Sequence, residues 1–434
     1  MNNRRSFLRN VFGLGAGLAV APAVLNAERK GGTREHSRPG QPVIVETPDI
    51  PNLPFTMDNG VKVFNLIAQP VKREIVPGRV IDAWGYNGTT PGPTIQVNNG
   101  DRVRIVLENR LPEPTSMHWH GFEIPIAMDG MPYISQKPIP PGGKYVYEFT
   151  LHQEGTFFYH SHGAMQEMMG MLGMFVMHPK QAHAPRVDHD FGLVLQEWAL
   201  LPNNSVPNTA NMEFNWLTIN GRSGPSATPL LVRLGSRVRI RFVNIGMDHH
   251  PMHLHGHTFW TTGTEGGRQP ESTWTSGNTV LVGVAQARDV EFVANNPGDW
   301  MLHCHLPHHM MNNMSDLISE RMMTTSALSS EQAQKQMELM AKQGGHGMHG
   351  SMEHLPAVAA NANSVPGFPQ DAFMEMPMDA AVAKPENNGL AKNWTAGMMG
   401  MMTLVRVLSS NKYDEIMALK KSAPQKEQHH EHGG

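Results

Sequence analysis

Short runs of β-branched and aromatic residues, alternating with polar ones, recur along most of the chain. Residues 61–64, 94–97 and 102–107 are examples, and Gly, Pro or Asn interrupts such runs at short intervals. No segment before residue 320 shows a sustained helical period. Alternation with a period of two and frequent turn residues are typical of half-buried strands in sandwich folds. The pattern therefore predicts an all-β protein.

The strand pattern repeats once within the chain. Residues 99–109 match residues 234–244, and each copy is followed by a His-x-His-Gly motif. Residues 154–162 match residues 297–305 in the same way. A repeat of this length indicates two copies of one β-domain. We assign these two domains to residues 51–182 and 183–320.

The sequence changes character after the second copy. Residues 321–395 are rich in Met, His and Gly, and this composition predicts an insertion that is largely disordered. Residues 396–410 regain strand character and resemble residues 168–177 of the first copy. We therefore expect residues 396–410 to supply the last strand of the second domain, followed by a flexible tail over residues 411–434.

The N-terminus resembles an export signal. Arg4 and Arg5 match a twin-arginine motif, an apolar segment follows to about Leu25, and a small-residue site lies near Ala23 or Ala27. We expect residues 1–27 to be a twin-arginine signal peptide, which would carry a folded protein to the periplasm. Residues 28–50 are polar and rich in Pro and Gly, which predicts a flexible lead-in.

Composition argues against several other functions. The formal net charge is −3, which gives no electrostatic basis for binding nucleic acid or an anionic membrane surface. Beyond the N-terminus, no segment approaches transmembrane length. The single Cys cannot form a disulfide within the chain, and a free thiol is vulnerable in an oxidising compartment. Coordination to a metal ion would protect it.

Four His-x-His pairs are the candidate chemistry of this chain. Side chains two residues apart on a strand point to the same face, so each pair can present two imidazoles to one point. Imidazole suits copper, zinc, iron and nickel, and an added thiolate favours copper or zinc. The pairs are His118 with His120, His160 with His162, His253 with His255, and His303 with His305, the last enclosing Cys304.

The last pair opens a denser cluster of candidate ligands. Cys304, a His a few residues later (His308 or His309) and a distal Met, together with His250 upstream, resemble the ligands of a blue-copper centre: two imidazoles, a thiolate and a weak axial thioether. The eight imidazoles of the four pairs are then left for a second centre. Eight imidazoles suit a cluster of three copper ions with open positions for oxygen.

This pattern resembles the multicopper oxidases, the family of laccase, ascorbate oxidase and copper-resistance oxidases, over about residues 55–320. The resemblance implies two cupredoxin-like Greek-key β-sandwich domains that hold four copper ions per chain. It assigns the type 1 copper to His250, Cys304, His309 and Met314, the type 2 copper to His118 and His253, and the type 3 pair to His120, His160, His162, His255, His303 and His305. A Met within residues 398–402 is the alternative axial ligand of the type 1 copper.

The resemblance also implies a reaction and an assembly. Members of the family couple one-electron oxidation of a donor to four-electron reduction of O₂ to water. Asp129 occupies a place where relatives carry an acid, which makes it a candidate proton relay; the alternative is an ordinary turn aspartate in an Asp-Gly pair. Two-domain members form ring-shaped homotrimers, in which each cluster lies between two subunits, so we expect a homotrimer.

The methionine content bears on the electron donor. The chain has 32 Met, and thioethers are soft ligands that favour Cu(I). We therefore favour Cu(I) as the donor, in a copper-detoxifying oxidase, over the alternative of a laccase-like oxidase of phenols. A copper nitrite reductase would not need four His pairs. A copper storage protein would not need Cys304 between two histidines.

Overall fold

The computed structural model of the protein describes residues 40–163, 165–201, 204–212, 214–310 and 378–422. The predicted signal peptide (residues 1–27), Met314 and most of the predicted insertion lie outside the described residues. Within the described residues, no helix has the length and apolar character that spanning a membrane requires.

Domain 1 is a sandwich of two sheets. The first sheet contains β1 (Thr56–Asp58), β2 (Val61–Val76), β3 (Arg79–Tyr86), β5 (Arg102–Asn109) and β7 (Lys144–Thr150). The second contains β4 (Gly92–Asn98), β6 (His118–His120), β8 (Gly155–His160) and β9 (Leu172–His178). Phe64, Ile105, Trp119, Tyr147 and Phe175 belong to one buried cluster drawn from both sheets.

Domain 2 repeats this plan. Its larger sheet contains β10 (His189–Trp198), β11 (Trp216–Ile219), β13 (Arg237–Asn244), β15 (Phe259–Thr264), β16 (Gly267–Arg268), β17 (Thr275–Gly277) and β19 (Gln286–Val293). Its smaller sheet contains β12 (Leu230–Arg233), β14 (His250–Leu254), β18 (Thr279–Val282), β20 (Gly298–Cys304) and β21 (Met402–Leu408). Apolar side chains from both sheets fill the space between them.

The alternating pattern seen in the sequence corresponds to the two faces of each strand. In β5, Val103, Ile105 and Leu107 are fully buried, whereas Arg102 and Arg104 face outward and pair with Glu148 on β7. The prediction of an all-β fold built from two sandwich domains is confirmed. Short 3₁₀ turns at Ile126–Met128, Glu271–Thr273, Pro307–Met310, Pro385–Asn387 and Trp394–Gly397 connect the strands.

The end of the predicted flexible lead-in (residues 28–50) is packed into the fold. Val45 is fully buried, its backbone N–H donates to Oε1 of Gln96, and it joins a buried cluster with Phe158 of domain 1 and Val243 of domain 2. Thr47 and Ile50 are also buried. This corrects the prediction for residues 45–50, because their apolar side chains fill the junction between the domains.

The predictions for residues 396–410 and for the tail after them have different outcomes. Residues 396–410, expected to supply a last strand, contain β21, which pairs with β20 on one side and β12 on the other. Residues 411–422 of the predicted flexible tail (411–434) belong instead to the helix α1 (Ser410–Ser422). Tyr413 and Ile416 of α1 are buried in a cluster with Leu231. Burial of these two side chains explains why the segment is ordered.

The described end of the predicted insertion (321–395) is also ordered. The Arg406 guanidinium on β21 donates to the carbonyls of Glu386 and Asn388 at 2.6 and 3.0 Å. Asp379 accepts hydrogen bonds from the hydroxyl and the backbone N–H of Thr395. The Arg406 contacts tie residues 386–388 to β21 of domain 2, and the Asp379 contacts hold the segment itself together. Neither set of contacts carries a periodic pattern that a sequence analysis could detect.

Candidate metal centres

His250, Cys304 and His309 form what we call the thiolate cluster. The Sγ atom of Cys304 lies 3.4 Å from Nδ1 of His309 and 3.8 Å from Nδ1 of His250, and the two Nδ1 atoms are 3.2 Å apart. All three side chains are fully buried. Strand pairing produces the arrangement, since β14 and β20 are neighbours and His309 lies on the 3₁₀ turn that follows β20.

Burial sets the protonation of this cluster. Burial, together with the neighbouring His250, lowers the pKa of His309 to about 3, so its imidazole is neutral and able to bind a metal ion. Burial raises the pKa of the Cys304 thiol to about 12. A metal ion must therefore displace the thiol proton when it binds. A thiolate and two imidazoles in a closed site are the donor set of a blue-copper centre.

One of the alternative axial methionines lies beside this cluster. The N–H of Met401 donates to the carbonyl of His309 at 2.9 Å, and its carbonyl accepts the N–H of Cys304 at 3.0 Å. The Met401 side chain is fully buried, in the same apolar cluster as Cys304. Among residues 398–402, Met401 is thus tied directly to two members of the thiolate cluster. Met314, the other predicted axial ligand, lies outside the described residues.

Four imidazoles gather at one edge of domain 1, and we call them the domain 1 half-site: His118, His120, His160 and His162. Pairing of β6 with β8 places His118 opposite His160. Nδ1 of His120 lies 3.3 Å from Nε2 of His160, and the rings of His118 and His162 are 5.5 Å apart.

The equivalent edge of domain 2 carries the domain 2 half-site: His253, His255, His303 and His305. Pairing of β14 with β20 places His253 opposite His303. Nε2 of His255 lies 3.0 Å from Nε2 of His303, and the rings of His253 and His305 are 5.3 Å apart. The structure therefore brings together, in two groups, all eight imidazoles that the sequence pairs predicted.

Backbone carbonyls orient half of these rings. An imidazole that donates Nδ1–H to a carbonyl keeps its Nε2 unprotonated and directed away from that carbonyl, ready to bind a metal ion. Four such bonds of 2.8–2.9 Å are present: His118 to Asp129, His160 to Ser161, His253 to Asn278 and His303 to Cys304.

Burial favours the neutral form of four half-site imidazoles, because it is the largest cause that lowers the pKa of His118, His120, His255 and His303. It lowers the pKa of His120 and of His303 to about 4, with a further contribution from neighbouring imidazoles. His160 behaves differently: burial alone would lower its pKa, but the Glu167 carboxylate, 3.2 Å from its Nδ1, raises it. Sequence analysis missed Glu167, because nothing in its local pattern separates it from a surface acid.

The two half-sites do not meet within one chain. Among the described residues, every group of His, Cys, Asp or Glu close enough to share a metal ion comes from a single domain. In the part of the chain that the structure describes, the ring contacts of the eight half-site imidazoles likewise stay within each domain. Each domain thus offers half of an eight-imidazole site.

Models of the multicopper oxidase family match residues 69–182 and 200–321, which is more than half of the 434 residues. The chain belongs to the multicopper oxidase family. The two matches fall on domain 1 and domain 2, so the two sandwiches are cupredoxin-like multicopper oxidase domains.

Relatives of this multicopper oxidase include copper resistance protein A of Pseudomonas syringae pv. tomato, which is 41% identical over 123 residues. Laccase-1 of Cryptococcus neoformans var. neoformans is 29% identical over 244 residues. These alignments cover 28% and 48% of this chain, but only 20% and 38% of the two relatives. The chain therefore aligns with about a fifth of copper resistance protein A.

Two solved structures are covered more fully. Blue copper oxidase from Nitrosomonas europaea is 30% identical, with a TM-score of 0.54, and the match covers 58% of this chain and 81% of that one. Multicopper oxidase mgLAC is also 30% identical, with a TM-score of 0.53 and the same coverage. The thiolate cluster and the half-sites supply sulfur and imidazole donors that fit the copper expected of the family.

Asp129 of this multicopper oxidase lies beside the domain 1 half-site. Its Oδ1 is 3.5 Å from Nδ1 of His118, in addition to the carbonyl contact. It also shapes a turn, because it follows the 3₁₀ turn Ile126–Met128 and precedes Gly130, whose φ of +86° favours glycine. Both interpretations of Asp129, as proton relay and as turn residue, are compatible with this position.

Two further carboxylates touch the thiolate cluster. Oε2 of Glu197 is 3.2 Å from Nε2 of His250, and Oδ2 of Asp248 is 3.4 Å from Nε2 of His309. Sequence analysis identified neither residue. Asp248 could have been found, since it stands two residues before His250. Glu197 stands 53 residues before His250 in sequence and belongs to no motif.

Proposed function

We propose that this multicopper oxidase is exported to the periplasm, where it oxidises a donor one electron at a time and passes four electrons to O₂ to form water. Four bound copper ions per chain would supply both the one-electron and the four-electron chemistry. The observation that carries the proposal is the arrangement of donors: a closed cluster of one thiol and two imidazoles, and two half-sites of four imidazoles each.

The chain itself connects the thiolate cluster to the domain 2 half-site. Cys304 stands between His303 and His305, so the buried thiol and two half-site imidazoles are consecutive residues. The Nδ1–H of His303 donates to the Cys304 carbonyl, which fixes that ring relative to the backbone of the cysteine. This short covalent connection supports a role in moving electrons from one centre to the other.

We further propose that the protein is a homotrimer. A domain 1 half-site and a domain 2 half-site would face each other across each subunit boundary, which would complete three eight-imidazole sites in a closed ring. The separation of the half-sites within one chain supports this arrangement. Assembly would also remove the half-sites from bulk water.

The surroundings of the thiolate cluster favour a metal ion as the electron donor. Asp248 and the exposed His308 place a carboxylate and an imidazole within 4.8 Å of each other and of a ring nitrogen of His309, the type 1 ligand nearest to them. The thioether of Met247, which is exposed, belongs to the residue before Asp248. Imidazole and thioether groups are copper ligands, and the soft thioether favours Cu(I). Together with the similarity to copper resistance protein A, they support Cu(I) as the donor.

A laccase-like oxidation of phenols is the alternative. It is supported by the similarity to Laccase-1 of Cryptococcus neoformans and to Laccase-2 of Botryotinia fuckeliana. The two functions differ in what must dock beside His309, since a phenol would need an apolar contact surface where the chain presents Asp248 and His308.

Side-by-side turnover of Cu(I) and a phenol would separate the two donors. We expect His308→Ala to lower kcat/KM for Cu(I) about tenfold or more while changing phenol oxidation less than twofold, because one ligand would be lost without disturbing the thiolate cluster. His183→Ala, which removes an imidazole paired with Glu154, is the matched control. Equal effects on both donors would contradict the proposal of a metal-ion donor.

The predicted insertion and the export signal can be tested separately. Deletion of residues 321–377 leaves the packed residues 378–422 in place, and a reduced turnover of Cu(I) at low copper would support a recruiting role for the Met/His-rich segment.

Replacement of Arg4 and Arg5 by Lys, followed by cell fractionation, tests the periplasmic location. Unchanged export would contradict the twin-arginine assignment.

A further inference from the structure

A buried carboxylate stands behind one ligand of the thiolate cluster. Glu197, near the end of β10, is fully buried, and its Oε2 lies 3.2 Å from Nε2 of His250. Nδ1 of the same ring faces Cys304 and His309. His250 therefore connects a carboxylate on one side to the candidate metal position on the other.

The loop before β14 is shaped around this carboxylate. Oε1 of Glu197 accepts the backbone N–H of Asp248 at 2.9 Å and also that of Met247. A Cβ atom on Gly246 would lie only 2.1 Å from Oε2 of Glu197, so only glycine lets the carboxylate occupy this position. The loop is braced in turn by Asn244, which accepts the Gly246 N–H and donates to the Asp248 carbonyl.

These contacts meet the requirements of a buried charge. Two backbone N–H groups and one imidazole N–H direct hydrogen-bond donors at the Glu197 carboxylate, and a carboxylate isolated from water needs such partners. The bond to Glu197 also selects the tautomer of His250, since Nε2 must carry the proton and Nδ1 is left free for a metal ion. Asp248, which lies beside Nε2 of His309 in the same way, is partly exposed.

We propose that Glu197 is a positioning residue of the type 1 copper site. Its hydrogen bond holds the His250 ring with Nδ1 toward the metal, and its negative charge stabilises Cu(II) relative to Cu(I), which keeps the reduction potential of the site low. A carboxylate bonded to a ligating imidazole increases the basicity of the ligand, and the effect of its charge is large where water is excluded. This inference rests on the proposed function, in which His250 binds the type 1 copper.

Two variants of the full-length, copper-loaded protein test this role in different ways. Glu197→Gln keeps the shape but removes the charge, whereas Gly246→Ala keeps the charge but displaces the carboxylate. We expect both to raise the midpoint potential of the blue copper, measured by redox titration of its absorption band. We expect Glu197→Gln to weaken Cu(II) binding about 10- to 100-fold, as outer-sphere substitutions do, with a smaller change in Cu(I) binding.

Glu291→Gln is the matched control. Glu291 is an equally buried carboxylate of domain 2, but it pairs with Arg237, Arg239 and Arg268 instead of a candidate ligand. The Glu291→Gln substitution should lower the free energy of unfolding without changing the midpoint potential of the blue copper. An unchanged midpoint potential in a blue Glu197→Gln protein, or an equal shift of the potential in Glu291→Gln, would overturn this inference and leave the proposed function intact. A parent protein that binds copper without becoming blue would contradict the proposed function itself, and this inference with it.

Discussion

The hydroxyl of Thr156 in domain 1 donates a 2.6 Å hydrogen bond to Oδ1 of Asp289 in domain 2. The same hydroxyl accepts a 2.7 Å bond from the guanidinium of Arg241, which pairs with Asp190. All four side chains are buried. This polar junction, together with the apolar cluster beside it, fixes the position of one domain on the other, and therefore the separation of the two half-sites within a chain.

Thr156→Val should lower the free energy of unfolding by about 1–3 kcal/mol, because Asp289 and Arg241 would each lose a buried partner. Urea unfolding measures the change. Thr150→Val, at an exposed position on β7, is the control and should stay within about 0.5 kcal/mol of the parent. If the two variants were equally stable, the junction would not contribute as described.

Complementation tests whether the half-sites of different subunits join. One variant carries His118→Ala with His120→Ala and lacks the domain 1 half-site; the other carries His253→Ala with His255→Ala and lacks the domain 2 half-site. Neither homotrimer should reduce O₂. In every mixed ring of three, one boundary would combine two intact half-sites, so random assembly should restore about a quarter of the parental activity.

The same experiment discriminates against an eight-imidazole site within one chain. In that case each chain of a mixed assembly would lack half of its own site, and co-expression would restore nothing. Light scattering on the copper-loaded parent supplies the second readout. A fully active monomer would contradict the trimer.

Copper loading of the thiolate cluster should depend on pH. The pKa of Cys304 is about 12 in the metal-free protein, so the thiol is protonated at neutral pH, whereas His309, with a pKa of about 3, is already neutral. Binding therefore releases the Cys304 proton. The apparent Cu(II) affinity should rise about tenfold per pH unit between about pH 7 and 9, and fall correspondingly as the pH is lowered.

Competition titrations followed at the blue absorption band would measure this slope. Copper at the domain 2 half-site provides the internal control, because the pKa of His303, about 4, and the lowered pKa of His255 keep these imidazoles neutral throughout that range. A type 1 affinity that did not change with pH would mean that the thiolate is present before copper binds.

Asp129→Asn separates the two interpretations of Asp129. The backbone carbonyl that orients His118 remains, and Asn is accepted in turns, so copper content and stability should be kept. If Asp129 moves protons, O₂ reduction should slow by about 10²- to 10⁴-fold, the usual contribution of a positioned acid or base. Oxygen uptake at parental rate would assign Asp129 to the turn alone.

The sequence predicted those parts of the structure that depend on a local period or a repeated motif. Two-residue spacing placed His118 with His120 on β6, and the repeat identified domain 2 as a second copy with the same strand pairing. In contrast, the packing of Val45 between the domains depends on a surface formed by strands far away in sequence. No local pattern distinguishes it from an unstructured lead-in.

The same reasoning explains the helix and the carboxylates that the sequence did not reveal. Helix α1 contains two buried side chains, Tyr413 and Ile416, which is too few for a clear helical period. Glu197 and Glu167 are single acids whose partners, His250 and His160, are brought to them by sheet pairing. Their contacts exist only after folding, and a single sequence cannot display them.

Cys304→Ser, compared with the parent for copper per chain, blue absorption and oxygen uptake, tests the central proposal most directly. The parent should bind four copper ions per chain, be intensely blue and consume O₂ with Cu(I) as donor. The variant should lose the blue band, retain about three copper ions at the half-sites and consume O₂ at least 10²-fold more slowly, because the thiolate would be absent. A colourless parent after copper reconstitution, or unchanged oxygen uptake by Cys304→Ser, would contradict the account.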